Sequence, residues 1–148
     1  AIVLPILMLL VLGIIEFGWM LRTYQAVGAL ANEACRTAAL GGSSADVNNR
    51  VTAAALTYGL TSVNATVTSF YRDRPNDSSD PASWADLSTV PSTVPLAGNY
   101  REVKVQIIYH YSPLMGGFFG FLQSNADANF PNTFPLRSSV VDRRESPT

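Results

Sequence analysis

The sequence predicts an α+β fold: a long N-terminal helix and a second short helix packed on a three-stranded antiparallel sheet. Three observations carry that prediction. Helical spacing runs unbroken over the first forty residues, and Ser43 to Asp46 starts a second helix after a glycine pair. Two later segments alternate with the period of two that marks a half-buried strand, and a third joins them near the C-terminus.

The first helix divides by composition. Ala1 to Ile15 has no polar side chain; Glu16 follows, then Phe17 to Leu21 is apolar again before Arg22. As a helix, residues 1 to 21 are about 32 Å long, close to a hydrocarbon core of roughly 30 Å. No comparable run recurs, so one span is the maximum. The run opens at Ala1 without the basic region that precedes a signal peptide's apolar core, and is read as a retained helix. Beyond Arg22, Tyr24, Val27, Ala31, Ala34 and Ala38 recur every three or four residues, a stripe of small side chains that lets another element approach closely. Gly41-Gly42 is a strong stop.

Ser43 is an N-cap with Asp46 in the first turn, and Val47, Val51, Ala54, Ala55 and Tyr58 form the apolar face of a helix ending near Gly59. Val63 to Tyr71 is rich in β-branched and aromatic residues and reads as a strand. Asp73 to Asn99 is a long Pro-, Ser- and Asp-rich loop, with Trp84 and Leu87 as its anchors. Arg101 to Tyr111 is the clearest strand. Val103, Val105, Ile107, Tyr109 and Tyr111 share one face, and Glu102, Lys104, Gln106 and His110 share the other. Leu114 to Leu122 is an aromatic patch, Asn125 to Pro135 a loop, and Leu136 to Arg144 the closing strand. Residues 1–41 thus form a transmembrane or filament-core helix and 42–148 a globular head.

Composition excludes several functions. Charged residues are 14% of the chain and net charge is −1, with nine of the ten basic residues being scattered arginines, so no nucleic-acid footprint is present. One cysteine, Cys35, rules out an internal disulfide or a multi-cysteine metal site and reads as a small buried helix residue. His110 is the one histidine, on the polar face of a strand. No acid pair, Ser-His-Asp set or ligand cluster is visible, so the chain is expected to be no enzyme, with no catalytic, metal or cofactor-binding residues.

The Leu-Pro-rich apolar opening, the motif Gly13-Ile14-Ile15-Glu16-Phe17-Gly18 and the Ala-rich continuation through Asn32-Glu33-Ala34-Cys35-Arg36 resemble the N-terminal helix of TadE-like proteins. These are pilin-like components of the tight-adherence (Flp) pilus systems of bacteria. The C-terminal half agrees: a Val-rich strand, Tyr111-Ser112-Pro113-Leu114, and a closing strand ending in Arg143-Arg144-Glu145. Such proteins usually carry Val-Glu-Phe just before the position of Ala1; that glutamate is not in this sequence, and no processing residue is carried over. The resemblance implies a pilin-like subunit that waits in the bacterial inner membrane and moves into an extracellular filament. Its partners would be copies of itself in a helical polymer, the membrane before assembly, and the pilus assembly machinery. A minor pseudopilin that primes assembly and a membrane-anchored monomer with a ligand-binding external domain are the alternatives.

Glu16 is the sharpest candidate site, because an ionised carboxylate in a membrane or a dry helical bundle is costly unless satisfied. It either sets register by meeting a neighbour's cation, a terminal amine or a side chain such as Arg22, or snorkels into water at the outer interface. Gly13, Phe17, Gly18 and Arg22 surround it as candidate subunit contacts. Phe118, Phe119 and Phe121 form a core patch by default and a partner surface otherwise. Glu33 and Arg36 have the spacing of a surface helix pair.

Overall fold

The computed structural model describes residues 3–61, 64–75, 83–90, 99–113 and 133–144. Helix α1 runs from Val3 to Ala39 and α2 from Ser44 to Thr57; the strands are β1 (Ala65–Pro75), β2 (Ala85–Asp86), β3 (Asn99–Tyr111) and β4 (Phe134–Arg144). The sheet is antiparallel throughout, in the order β2-β1-β3-β4. The α+β architecture is therefore as predicted, with one addition. β2 is two residues long and pairs Ala85 and Asp86 with Tyr71 and Phe70, too short to show a period of two.

Both helix ends are built by local chemistry. Gly41 adopts φ +96° and ends α1, donating to the Ala38 carbonyl at 3.2 Å while Gly42 donates to that of Thr37 at 3.0 Å. A Cβ on Gly42 would lie 2.7 Å from the Thr37 carbonyl oxygen, so the second glycine is as necessary as the first. Ser43 then caps α2. Its hydroxyl accepts from the Asp46 amide, and the Asp46 carboxylate accepts from the Ser43 amide at 2.9 Å and hydroxyl at 2.7 Å. These hydrogen bonds hold the Asp46 carboxyl below its ordinary range.

The core lies between the helices and one face of the sheet. Val27, Leu30, Ala31, Ala34, Cys35 and Ala38 of α1 meet Val103, Val105, Ile107 and Tyr109 of β3, with Val47, Val51 and Ala55 of α2 closing the side. The predicted β3 face is buried as expected. The predicted helical stripes are correct except at their aromatic members: Tyr24 and Tyr58 are exposed, and Leu30 and Cys35 fill the α1 stripe. Cys35 is buried at 1% exposure, its thiol directed at the Val140 carbonyl 3.5 Å away. Burial first, and the nearby Asp142 charge second, push the thiol up to about 11.

The head is tied at its far end, where Arg101 forms a two-toothed pair with Asp73 (2.6 and 2.9 Å) and Arg144 donates to the Gly41 carbonyl at 2.9 Å. On the sheet's other face Trp84 lies under Arg72 and Lys104, 4.2 and 4.6 Å from its ring centre, whereas Leu87 is buried in the core on the helix side. Of the segment they were expected to anchor, residues 76–82 and 91–98 lie outside the described residues. His110 belongs to the Trp84 face by register but is buried, its Nδ1 3.5 Å from the Thr133 hydroxyl. Glu33 is engaged by Arg50 of α2, whose Nε donates to it at 2.9 Å, rather than forming the expected pair with Arg36 along its own helix. The patch holding Phe118, Phe119 and Phe121 lies outside the described residues.

Candidate functional site

The site is the stretch of α1 where the helix leaves the head. From Val3 to Ile15 every large apolar side chain is exposed. Only 6% of the most apolar 18-residue window of α1 is buried, and among the described residues α1 is the one helix long and apolar enough to cross a membrane. The core helix of a soluble protein is buried along its length; this one is bare where it is most hydrophobic.

Coverage begins at Glu16. Glu16, Thr23, Val27, Leu30 and Ala34 are successive members of one stripe at intervals of three, four or seven, which places the acid on the sheet-facing side of α1. It is 8% exposed, and the Tyr111 hydroxyl at the end of β3 donates to its Oε1 at 2.8 Å. Within the subunit the carboxylate turns toward the head, because its stripe continues the core stripe. Tyr111 is the partner of Glu16 that sequence reasoning missed. It was placed on the buried face of β3, but nothing in the spacing joins it to a residue 95 positions away. Burial, then the hydrogen bond and charge of Glu16, push the Tyr111 phenol up to about 12, so it stays a donor at any physiological pH.

The other candidates surround this pair without entering it. Arg22 is exposed and its guanidinium stacks 5.5 Å from the Trp19 ring centre. Phe17 is 60% exposed. Gly13 and Gly18 have nothing within 4 Å of where a Cβ would sit, so no packing inside the subunit calls for glycine at either place. An apolar groove of about 470 Å³ runs between helix and head, lined by Gly13, Glu16, Phe17, Met20, Pro113 and Phe134. A second, more polar groove of about 390 Å³ is lined by Trp19, Arg22, Thr23, Tyr58 and Asn64. Tyr111 borders both. Among the described residues no group of three or more His, Cys, Asp or Glu could hold a metal ion.

These features define a class: a small α+β head carried on a projecting helix that is apolar all round and able to anchor in a membrane. The family model for TadE-like proteins matches residues 1–36, which is nearly the whole of α1 and none of the sheet. The resemblance read from the sequence therefore holds over the segment that carries its motifs, and the chain is consistent with a Tad pilus-associated subunit. No curated protein and no solved structure matches the chain.

Proposed function

We propose that the chain is a structural, pilin-like subunit of a bacterial surface filament of the Tad or type IV pilus kind, assembling through its N-terminal helix. One observation carries this reading: within the helix that matches the TadE-like family, the first half, Val3 to Ile15, is exposed, apolar and unpartnered within the subunit. A leucine in lipid and a leucine in a helix bundle are about equally satisfied. Transfer from membrane to polymer then costs little, and close packing against copies decides. In this reading residues 1–41 are the membrane and filament-core helix, and residues 42–148 face outward. Gly13 and Gly18 leave bare backbone for a neighbour, with Phe17 and Arg22 as flanking contacts and Glu16 setting register. The subunit waits in the inner membrane for the assembly machinery and needs no catalytic residue.

The test is mechanical shearing of cells that express the chain. A polymer that sediments and contains the chain supports the proposal, and a chain that dominates fibre mass is the major subunit rather than a minor pseudopilin. Release of nothing, with the chain left wholly in the membrane, overturns it. That outcome favours an anchored monomer with a ligand-binding head, the reading supported by Glu16 already having a donor inside its own subunit.

A further inference from the structure

Three exposed aromatic side chains surround the neck of the molecule. Trp19 is 49% exposed, Tyr24 52% and Tyr58 42%, and Arg22 stacks on Trp19 among them. Tyr58 comes from the end of α2, yet it lines the same groove as Trp19 and Arg22 and so lies at their level. Aromatic and arginine side chains with a wet tip and an apolar body gather where acyl chains give way to headgroups. Arg22 is also the first charged residue after the apolar run apart from the covered Glu16. The water boundary thus falls at Trp19 to Tyr24.

Glu16 precedes Arg22 by six residues, about 9 Å along a helix. Tyr111 touches Glu16, and Pro113 and Phe134 line the groove that contains Gly13 and Phe17. Gly13, Glu16 and Phe17 precede that boundary along α1, and Pro113 and Phe134 share their groove. The geometry points to a second membrane contact, made by the head: the end of the sheet carrying Tyr111, Pro113 and Phe134 dips into the outer part of the bilayer, with Ser112 beside Trp19 and Arg22 at its boundary. Its partner is a phospholipid surface. The side of α1 that faces away from the sheet supports this depth, because Phe17 and Leu21 are 60% and 46% exposed and would stand in water if the boundary lay at Glu16. The Tyr111 hydroxyl then shields the carboxylate from lipid, and the head is held against the membrane instead of swinging on its helix. At the opposite end of the head, Arg101, Asp73 and Arg144 gather at the α1–α2 turn, in water.

This inference rests on the membrane-anchored state of the proposed function. The test uses the full chain in vesicles of phosphatidylethanolamine and phosphatidylglycerol, with a nitroxide on a single introduced cysteine and the buried Cys35 left in place. Collision with oxygen, which enters lipid, is compared with collision with a water-soluble nickel chelate. Phe134→Cys should resemble Phe17→Cys, with oxygen favoured, and Ala45→Cys at the far end should show the reverse. A Phe134 label as open to nickel as the Ala45 label overturns the second contact while leaving anchoring intact, provided Leu10→Cys reports lipid. Nickel access at Leu10 overturns anchoring itself, and the contact with it. If Phe134→Cys fails to fold, Ser112→Cys in the adjoining groove decides: headgroup-level values intermediate between Phe17 and Ala45 support the contact, and values equal to Ala45 overturn it.

Discussion

The two halves of α1 share one continuous backbone and solve opposite problems. From Val3 to Ile15 the helix presents Leu, Ile, Val and Met on all sides and buries none of them in the subunit. From Glu16 to Ala39 it presents a stripe whose later members are mostly Ala and whose walls are β3, β4 and α2. Large side chains suit a surrounding that can conform to them, as lipid does. Small ones suit a rigid neighbour that must come close. The stability of the head should therefore depend on the second half and be nearly blind to the first.

The largest expected effect tests that contrast directly. Leu30→Ala, at 1% exposure, should cost about 2–5 kcal/mol, read as a shift in the denaturation midpoint of the head in detergent. Leu10→Ala, at 58% exposure, should stay within about 0.5 kcal/mol by the same measurement. Equal losses at the two positions would show that the first half has a partner inside the subunit and break the comparison.

A second effect comes from Cys35. Its thiol titrates near 11 in the fold against an ordinary 9.0. The folded-state value is raised, so the stabilisation is complete below pH 9 and is lost as pH rises toward 11. With about 1.4 kcal/mol per pKa unit, the loss approaches about 2–3 kcal/mol. Cys35→Ala should abolish this slope between pH 9 and 10, below the range in which Tyr111 begins to contribute a similar fall from pH 10 to about 12. An unchanged slope would place the titrating group elsewhere.

At the border of the two halves, Tyr111→Phe removes the hydroxyl that donates to Glu16. A hydrogen bond to a buried charge is worth about 1.5–3 kcal/mol, and the fold should weaken by that amount. Glu16→Gln should lose less, because its amide oxygen still accepts from Tyr111. A Tyr111→Phe protein as stable as the parent would mean that the border lies nearer Thr23 than Glu16.

Much of this was legible in the sequence, and the unread parts have physical reasons. The buried face of β3 was readable because one wall of the sheet packs on helices and the other does not, so polarity alternates from Val103 to Tyr111 with Ile108 the one exception. The α2 cap was readable because Ser43 and Asp46 satisfy each other within four residues. The α1 stripe was nearly readable, but Tyr24 was counted as core for its apolar ring when Leu30 and Cys35 hold the buried positions. Glu16 could have been placed on the stripe by its spacing from Thr23, Leu30 and Ala34. Its acidity argued against a packed position until Tyr111 supplied the donor. That pairing joins two residues 95 apart, and no local pattern encodes it. β2 escaped notice because two residues have no period.

The smallest expected change in the subunit is also the one that separates folding from assembly. Gly18 lies mid-helix and exposed, with open space where a Cβ would be. Gly18→Ala should therefore leave the head untouched and stabilise the helix by at most about 1 kcal/mol through backbone entropy alone. A monomer would tolerate the change without loss. In a filament whose helices approach at this point, one methyl group on each subunit repeats at every contact, and packed interfaces do not accept added volume without shifting. Unchanged melting of the head together with lost or shortened polymers would put Gly18 at a subunit contact. Unchanged melting with polymers of normal length would remove it from the interface and leave Glu16 and the large apolar side chains around it to set how neighbouring helices pack.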